Sequence, residues 1–217
     1  FKINNYTSYL PETCPRSNKV RVITLVKNNL VKHACRRKDL MTSRCFPTIW
    51  IELNLAKNQK YLIGSTYREW GNDDNKSIAQ QIARIETLEE QVERASSGTH
   101  SVILGGDWNL NAARTDDPDW KLKSVFKKLN DIFNHAGLSR IRVGPTFTYS
   151  KGDIIKTSEL DYFFSNNDEL PVETLVDECG FSDHDAASIV ITLPEKIDKR
   201  RPLEQRFIIK RRKIQNV

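Results

Sequence analysis

The amino-acid sequence predicts a layered domain of α/β or α+β class, in which sheets are flanked by helices. Short apolar segments rich in β-branched and aromatic residues alternate with two amphipathic helical segments. The 217 residues are enough for a substantial core, and no stretch approaches the length of an apolar membrane span. A hydrophobic fraction of 38% with a charged fraction of 29% excludes a largely disordered chain.

Six segments have the composition and the bordering turn residues of strands. They are Val20–Lys27, Thr48–Leu55, Lys60–Tyr67, His100–Gly105, Leu160–Ser165 and Ala186–Leu193. Asn58 lies between the second and the third, which predicts a hairpin that pairs residues 49–53 with residues 61–63.

Two segments have apolar residues at the spacing of three and four that is typical of a helix packed on a core. Before the first, Lys76–Ala95, residues Asn72 to Asn75 supply capping candidates. In the second, Pro118–Ala136, Asp117 can cap the start and Gly137 suits the position after the last turn. Both apolar stripes are interpreted as core faces.

The net charge of +6 is unevenly distributed. Residues 1–47 carry 10 Lys and Arg against 2 Asp and Glu, residues 48–195 carry 15 against 24, and residues 196–217 carry 9 against 2. Basic ends around an acidic centre fit a polyanion held over a cation-binding site, and they also fit a solvated surface with a basic tail. The compact domain is expected to span residues 1–194, with residues 195–217 as a basic linker or tail.

The four cysteines indicate the cellular compartment. Cys14, Cys35, Cys45 and Cys179 form neither a C-x-x-C pair nor a zinc-binding pattern. They are too few in a chain of this length for a disulfide framework, so reduced thiols are expected. The first five residues also lack the basic and apolar regions of a signal peptide. The nucleus or the cytoplasm is therefore the expected location.

The strongest local signal is an apolar strand that leads through Gly105 and Gly106 to Asp107 and Asn109. The glycines permit a sharp exit from the strand, and residues two apart in an extended chain face the same side. The carboxylate and the amide can therefore share one site, where they could orient a water, hold a cation or bind a phosphate oxygen. An ordinary Asx turn that closes the strand is the alternative.

A second signal is His184, one of three successive titratable residues before a strand. Histidine can act as an acid, a base or a transition-state stabiliser near neutral pH. Asp161 begins an apolar strand, and a buried carboxylate needs a partner such as an imidazole. Asp161 is predicted to orient His184, unless it faces the surface. Tyr67 and Arg68, at the end of another strand, are weaker candidates for phosphate contacts.

Four motifs follow one another along the chain: Tyr67-Arg68, Gly105-Gly106-Asp107-Trp108-Asn109, Ser158 with Asp161, and Ser182-Asp183-His184. Their order and spacing resemble the exonuclease–endonuclease–phosphatase superfamily, and within it the apurinic/apyrimidinic-type endonuclease domain of non-LTR retrotransposons. The stretch Pro145–Tyr149 shares the likeness, which extends from about the first strand to Leu193. The resemblance implies a two-sheet α/β sandwich of the DNase I type with its active site at one edge.

The resemblance also implies an activity and partners. The activity is Mg²⁺-dependent cleavage of DNA, with Mn²⁺ as a substitute ion, which leaves a 3′-hydroxyl for reverse transcription. The implied partners are double-stranded DNA and a downstream reverse transcriptase on the same polypeptide, with the nucleus as the site of action and no membrane partner.

The catalytic residues implied by the resemblance are Tyr67, Asp107, Asn109, Asp161, Asp183 and His184. Asp107, Asn109 and Asp183 would form the metal side, and Asp107 would also position and activate the attacking water. His184, oriented by Asp161, would stabilise the charged phosphorane. Work of this kind is mainly positioning and charge neutralisation.

Contacts with the nucleic acid are implied for a further set of side chains. Tyr67 would contact the scissile phosphate or the leaving group. The other implied contacts are Arg68, Asn111, Thr148 and Ser182.

The sequence departs from the family pattern at its beginning. The family has an upstream strand that bears an Asn, followed by a Glu that binds the metal, and neither is found before the Tyr67 strand. Glu12 superficially resembles that Glu, but it lies among Pro and Cys with no preceding strand. The N-terminal strand is therefore expected to be missing. Two alternatives stay open: a nucleic-acid-binding module that has lost cleavage, and a phosphatase that acts on a phosphoinositide or a small phosphate ester.

Overall fold

Alternating β-branched and aromatic residues build a central sheet that is covered on both faces. The computed structural model describes residues 3–11, 20–41, 46–56, 59–69, 77–151, 153–167, 172–180, 182–192 and 206–208. The strands within them are β1 (Tyr6–Tyr9), β2 (Thr24–Lys27), β3 (Ala34–Arg36), β4 (Ile49–Ala56), β5 (Gln59–Tyr67), β6 (Ser101–Asp107), β7 (Ser139–Ile141), β8 (Phe147–Lys151), β9 (Ile154–Ser158), β10 (Asp161–Ser165), β11 (Val172–Asp177), β12 (Ala186–Ile191) and β13 (Arg206–Ile208). The helices are α1 (Ile78–Glu86), α2 (Glu89–Ser96) and α3 (Lys123–His135), and short 3₁₀ turns cover Asn28–His33, Lys38–Leu40 and Ala112–Arg114.

The strands are arranged in two main sheets and two ribbons. The central sheet has the order β3-β4-β5-β6-β10-β7, and the second sheet has the order β11-β12-β13. Within the central sheet β5 and β6 are parallel, while β10 is antiparallel to both of its neighbours. The ribbons are β1-β2 and β8-β9.

Two apolar clusters divide the molecule into layers. On one face of the central sheet, residues such as Leu104 and Phe164 pack against the helices. On the other face, Ile63, Ile103 and Ile189 join the central sheet to the second sheet. The helices, the central sheet and the second sheet therefore form successive layers, which confirms the predicted two-sheet α/β sandwich.

The first predicted helical segment is interrupted in the structure. The predicted segment contains two helices, α1 and α2, because the N–H groups of Thr87 and Leu88 bond to the carbonyls three residues before them instead of four. Ser77 caps α1 through a reciprocal capping box with Gln80. The predicted capping residues 72–75 lie outside the described residues.

The third helix begins later than predicted. Helix α3 starts at Lys123, since Asp117 caps a local turn instead, where its carboxylate accepts the backbone N–H of Asp119 at 2.9 Å. The predicted end is confirmed: Gly137 has a φ of 73°, and the N–H of Leu138 bonds to the carbonyl of Phe133 in a Schellman motif.

All six predicted strands are present with shifted ends, and the predicted hairpin is confirmed by the pairing of Ile51 with Ile63 in β4 and β5. Asn58 lies outside the described residues. The remaining strands escaped sequence prediction because most of them are short, and some, such as β9, are exposed and lack alternation. Strand β13, within the predicted tail, pairs with Ser188–Val190 of β12.

The described residues add two further facts. Cys35 and Cys179 are free thiols, while Cys14, Cys45 and Glu12 lie outside the described residues. Each helix within the described ranges is too short or too polar to traverse a lipid bilayer.

Candidate active site

A row of polar side chains crosses the ends of three adjacent strands. Tyr67 at the end of β5 is in register with Asp107 at the end of β6, and Asp107 is in register with Asp161 at the start of β10. Residues directly opposite one another project from the same face of a sheet. That face looks toward the second sheet, from which His184 enters just before β12. The three side chains and His184 therefore converge at one edge of the sandwich.

Asp161 and His184 form a buried pair. The distance from Asp161 Oδ2 to His184 Nδ1 is 2.7 Å, and both residues are only 6% exposed. A carboxylate at Nδ1 holds the ring in one orientation and favours the proton on that nitrogen. Nε2, on the other side of the ring, is then the atom with which His184 can meet a substrate. The structure thus brings together the two groups that the sequence pairs.

Thr146 holds this pair in place, and sequence reasoning did not single it out. Its hydroxyl donates to Asp161 Oδ2 at 2.8 Å and accepts the backbone N–H groups of Leu160 and Asp161. Its carbonyl accepts the N–H of Asp185, next to the histidine, at 2.7 Å. A fully buried threonine therefore links β10 to the His184 segment.

The sequence predicted a site role for Thr148 instead of Thr146. Both lie in the Pro145–Tyr149 stretch and are two residues apart, so strand alternation places them on the same side and does not distinguish them. The structure buries Thr146, whereas Thr148 lies exposed on β8. The two threonines are distinguished by a tertiary contact, because Thr146 lies against the start of β10, and sequence alternation does not show such a contact.

Asp107 and Asn109 are joined by a turn rather than by extended chain. Strand β6 ends at Asp107, whose Oδ1 accepts the N–H of Asn109 at 3.0 Å. Asn109 has a φ of 49°, a left-handed conformation that asparagine tolerates. Its Nδ2 donates to the carbonyl of Arg68 at 2.6 Å. The Asx turn, proposed as the alternative, is therefore the means by which these two polar residues are placed at the site.

Arg68 is buried within the protein, which corrects its predicted place at a nucleic-acid surface. It is 1% exposed, and Nη1 donates to the carbonyls of Trp108 and Asn109 at 3.4 and 3.2 Å. Nη2 donates to Gln81 Oε1 at 3.0 Å. The guanidinium braces the loop after β6 against helix α1, and in this conformation it does not reach solvent.

Two other predicted contacts, Asn111 and Ser182, are half-buried and form hydrogen bonds within the protein. Asn111 accepts the N–H groups of Ala113 and Glu159, and its Nδ2 donates to Ser158, so its amide shapes the loop. Ser182 accepts the N–H of His184 at 3.1 Å and so fixes the backbone beside the imidazole. Asp183 is exposed.

The site contains a cluster that can hold a divalent cation. Ligand atoms of Asp107, Asp161 and His184 lie within 4.8 Å of one another, and all three residues are buried. The Asp161 and His184 atoms already bond to each other, whereas Asp107 and the neighbouring Asn109 supply the oxygen donors that hard cations prefer. Asp183, predicted on the metal side, is not part of this cluster.

The sheet order and the layers are those of the two-sheet α/β sandwich of the DNase I type that the sequence motifs predicted. No protein-family model matches the sequence, and no curated protein sequence matches it. Among solved structures, the chain is similar to the endonuclease domain of TRAS1, a telomere-specific non-LTR retrotransposon, at 20% identity and a TM-score of 0.64 over 89% of this chain and 83% of that chain.

Two further structures share the fold. The D. rerio TDP2 complex with a single-strand DNA product has 13% identity and a TM-score of 0.51, over 83% of this chain and 74% of that one. Truncated TDP2 from Caenorhabditis elegans has 15% identity and a TM-score of 0.51, over 86% of this chain and 75% of that chain. At these identities the likeness shows the fold alone.

Proposed function

We propose that the chain hydrolyses phosphodiester bonds in double-stranded DNA as a divalent-metal-dependent endonuclease. The observation that carries this proposal is the buried Asp161–His184 pair, 2.7 Å apart, with Asp107 opposite on the adjacent strand. A carboxylate that can activate water and an oriented imidazole that can bind a charged oxygen are the two groups that phosphodiester hydrolysis needs. The fold shared with a retrotransposon endonuclease domain supports this assignment.

Each residue of the site has a separate role in the proposed reaction. Asp107 positions the attacking water and accepts its proton as the water oxygen bonds to phosphorus. The bond from phosphorus to the 3′-oxygen breaks, and that oxygen takes up a proton from solvent water, which leaves a 3′-hydroxyl on one strand end and a 5′-phosphate on the other. His184, protonated and held by Asp161, donates from Nε2 to a non-bridging oxygen and stabilises the charge that develops there. Tyr67, in register with Asp107, contacts the same phosphate.

Asp107 and Asn109 would hold Mg²⁺, with Mn²⁺ as a substitute, because they supply oxygen donors at the phosphate. When bound, such an ion neutralises the negative charge of the phosphate oxygens. Asp183, exposed beside His184, would support the metal side through water.

The cellular setting is proposed from the relatives and from the charge. The TRAS1 domain belongs to a non-LTR retrotransposon, and basic flanks on either side of an acidic centre suit a DNA partner. The nick would thus serve as a primer for a reverse transcriptase on the same polypeptide, in the nucleus.

A supercoiled plasmid tests the proposed activity. The wild-type chain with Mg²⁺ should convert it to relaxed circles whose ends a DNA polymerase can extend, and EDTA should stop the reaction. His184→Ala should abolish nicking while binding to the plasmid persists. A chain that shifts plasmid mobility but never nicks with Mg²⁺ or Mn²⁺ would be a binding module. Phosphate release from a phosphoinositide without nicking would identify a phosphatase.

A further inference from the structure

Arg21 lies at the end of the polar row that is farthest from His184. It belongs to the segment that leads into β2, where its neighbour Val22 is 6% exposed and packs in the cluster between the sheets. Arg21 itself is exposed, and its guanidinium carbon lies 5.7 Å from the centre of the Tyr67 ring. The buried valine thus fixes the point at which the arginine emerges beside the site.

Arg21 places a positive charge where the site is otherwise acidic. Tyr67, whose ring it contacts, is in register with Asp107, which lies on the adjacent strand, one strand spacing of roughly 5 Å away. Two carboxylates in one row would repel an approaching phosphate. Arg68 does not offset this repulsion at the surface, because its charge is buried. Among the described residues, no carboxylate forms an ion pair with Arg21.

The contact with Tyr67 also leaves the useful part of the guanidinium accessible. Arg21 is exposed, so the N–H donors of its guanidinium that do not face the ring can meet a ligand. Those donors form a fork that matches two oxygens of a phosphate. The ring therefore holds the guanidinium beside the site while its exposed donors can bind a phosphate.

We propose that Arg21 binds a non-bridging oxygen of the phosphate that is cleaved, on the side opposite His184. The phosphate is then held between a guanidinium at the Tyr67 end of the row and an imidazole at the Asp161 end. The identity of this phosphate as the scissile one rests on the proposed endonuclease function, whereas the binding of a DNA phosphate by Arg21 does not.

The test compares Arg21→Gln and Arg21→Lys with a matched control, Arg94→Gln. Arg94 is exposed and pairs with Glu90 on α2, in the layer on the other face of the central sheet. Binding of a short DNA duplex without divalent cation is measured over a salt series, and nicking with Mg²⁺ is measured at saturating DNA. Melting temperatures are recorded for every variant.

Arg21→Gln should lower the magnitude of the salt slope by about 0.9, the value of one phosphate contact. It should also lower the nicking rate at saturating DNA by more than about 10-fold, because charge stabilisation acts in the transition state. Arg21→Lys should restore the salt slope but only part of the rate, since lysine lacks the fork. Arg94→Gln should match the wild type in both measurements.

An unchanged salt slope and rate in Arg21→Gln would overturn the inference, as would an equal loss in Arg94→Gln. A loss of rate with an unchanged slope would reduce Arg21 to a residue that positions Tyr67. A third outcome separates the two proposals. If neither the wild type nor any variant nicks DNA, and only Arg21→Gln lowers the salt slope of binding, the endonuclease proposal fails while phosphate binding by Arg21 stands.

Discussion

The geometry of the Asp161–His184 pair depends on the hydroxyl group of Thr146. It supplies one donor to the carboxylate and one acceptor that two backbone N–H groups share, in a fully buried position. A buried donor or acceptor without a partner costs about 1–3 kcal/mol. Loss of this hydroxyl should therefore affect both stability and the orientation of the imidazole.

Thr146→Val should lower the free energy of unfolding by about 1–3 kcal/mol, because the N–H groups of Leu160 and Asp161 lose their acceptor. It should also slow nicking by about 10-fold or more, because the Asp161 carboxylate loses the donor that fixes it. Urea unfolding and plasmid nicking measure the two effects. Thr146→Ser, which keeps the hydroxyl, is the control. It should retain most of the stability and most of the nicking rate. Wild-type activity in a folded Thr146→Val would contradict the assigned role.

At the scale of the elements, the register of β5 and β6 is what places Tyr67 beside Asp107. Both glycines of the Gly105-Gly106 pair lie inside β6, not at its exit as the sequence was interpreted. A Cβ on Gly106 would lie 2.2 Å from the carbonyl oxygen of Thr66. Gly106 is therefore required for the close approach of the two strands that carry the site.

Gly106→Ala should push β5 and β6 apart and cost about 3 kcal/mol or more, since the obstructing atom is backbone and cannot turn away. The melting temperature should fall, and nicking should be lost even where the variant stays folded. Gly180→Ala provides the control: no atom of the described residues lies within 4 Å of a Cβ there, so stability should change little. Equal melting temperatures for the two variants would show that the strand approach is not as tight as described.

A second element-scale feature is the ion cluster that joins β3, β4 and β6. Arg37 Nη1 bonds to Glu52 Oε2 at 2.8 Å, and His100 lies 3.2 Å from the same oxygen. Partial burial alone would raise the pKa of Glu52, but hydrogen bonds from Arg37 and Asn54 and the charge of His100 outweigh it and hold that pKa below its usual range.

Because the folded pKa of Glu52 is lowered, this carboxylate stabilises the fold above its ordinary pKa of about 4.3. That contribution should be lost as the pH falls through the lower, folded value. Glu52→Gln should therefore be less stable than the wild type at pH 7, with the gap closing toward pH 3. Urea unfolding across this range measures the difference. Glu90→Gln, in an exposed pair on α2, should show little effect at any pH. A gap that does not narrow as the pH falls from 5 to 3 would exclude the ionic origin.

The sequence was sufficient for the long elements and for one key pairing. Periodic segments identified the strands that became β4, β5 and β6 because alternation over several residues reflects burial. The pairing of Asp161 with His184 followed from the cost of burying a lone carboxylate. Short strands such as β7, with three residues, carry too few positions for a pattern. The burial of Arg68 could not be predicted, because the direction of a long side chain is set by tertiary partners such as Gln81.

At the scale of the whole molecule, the site exists only because two sheets meet. The central sheet supplies Tyr67, Asp107 and Asp161, and the segment before β12 supplies His184. Layer packing through residues such as Ile63 and Ile189 keeps the two contributions in contact. The acidic centre of the sequence thus becomes one edge of a sandwich, while the basic residues lie toward the two ends of the chain.

The most direct test of this account is the rate of plasmid nicking by Asp161→Asn, compared with wild type and with Thr146→Ser, in Mg²⁺ at saturating DNA. The asparagine keeps the shape of the side chain but removes the charge that orients and supports the His184 imidazolium. We expect a nicking rate about 100-fold or more lower in a variant that stays folded, in line with general acid–base contributions. Nicking by folded Asp161→Asn at the wild-type rate would contradict the claim that the Asp161–His184 pair performs the chemistry.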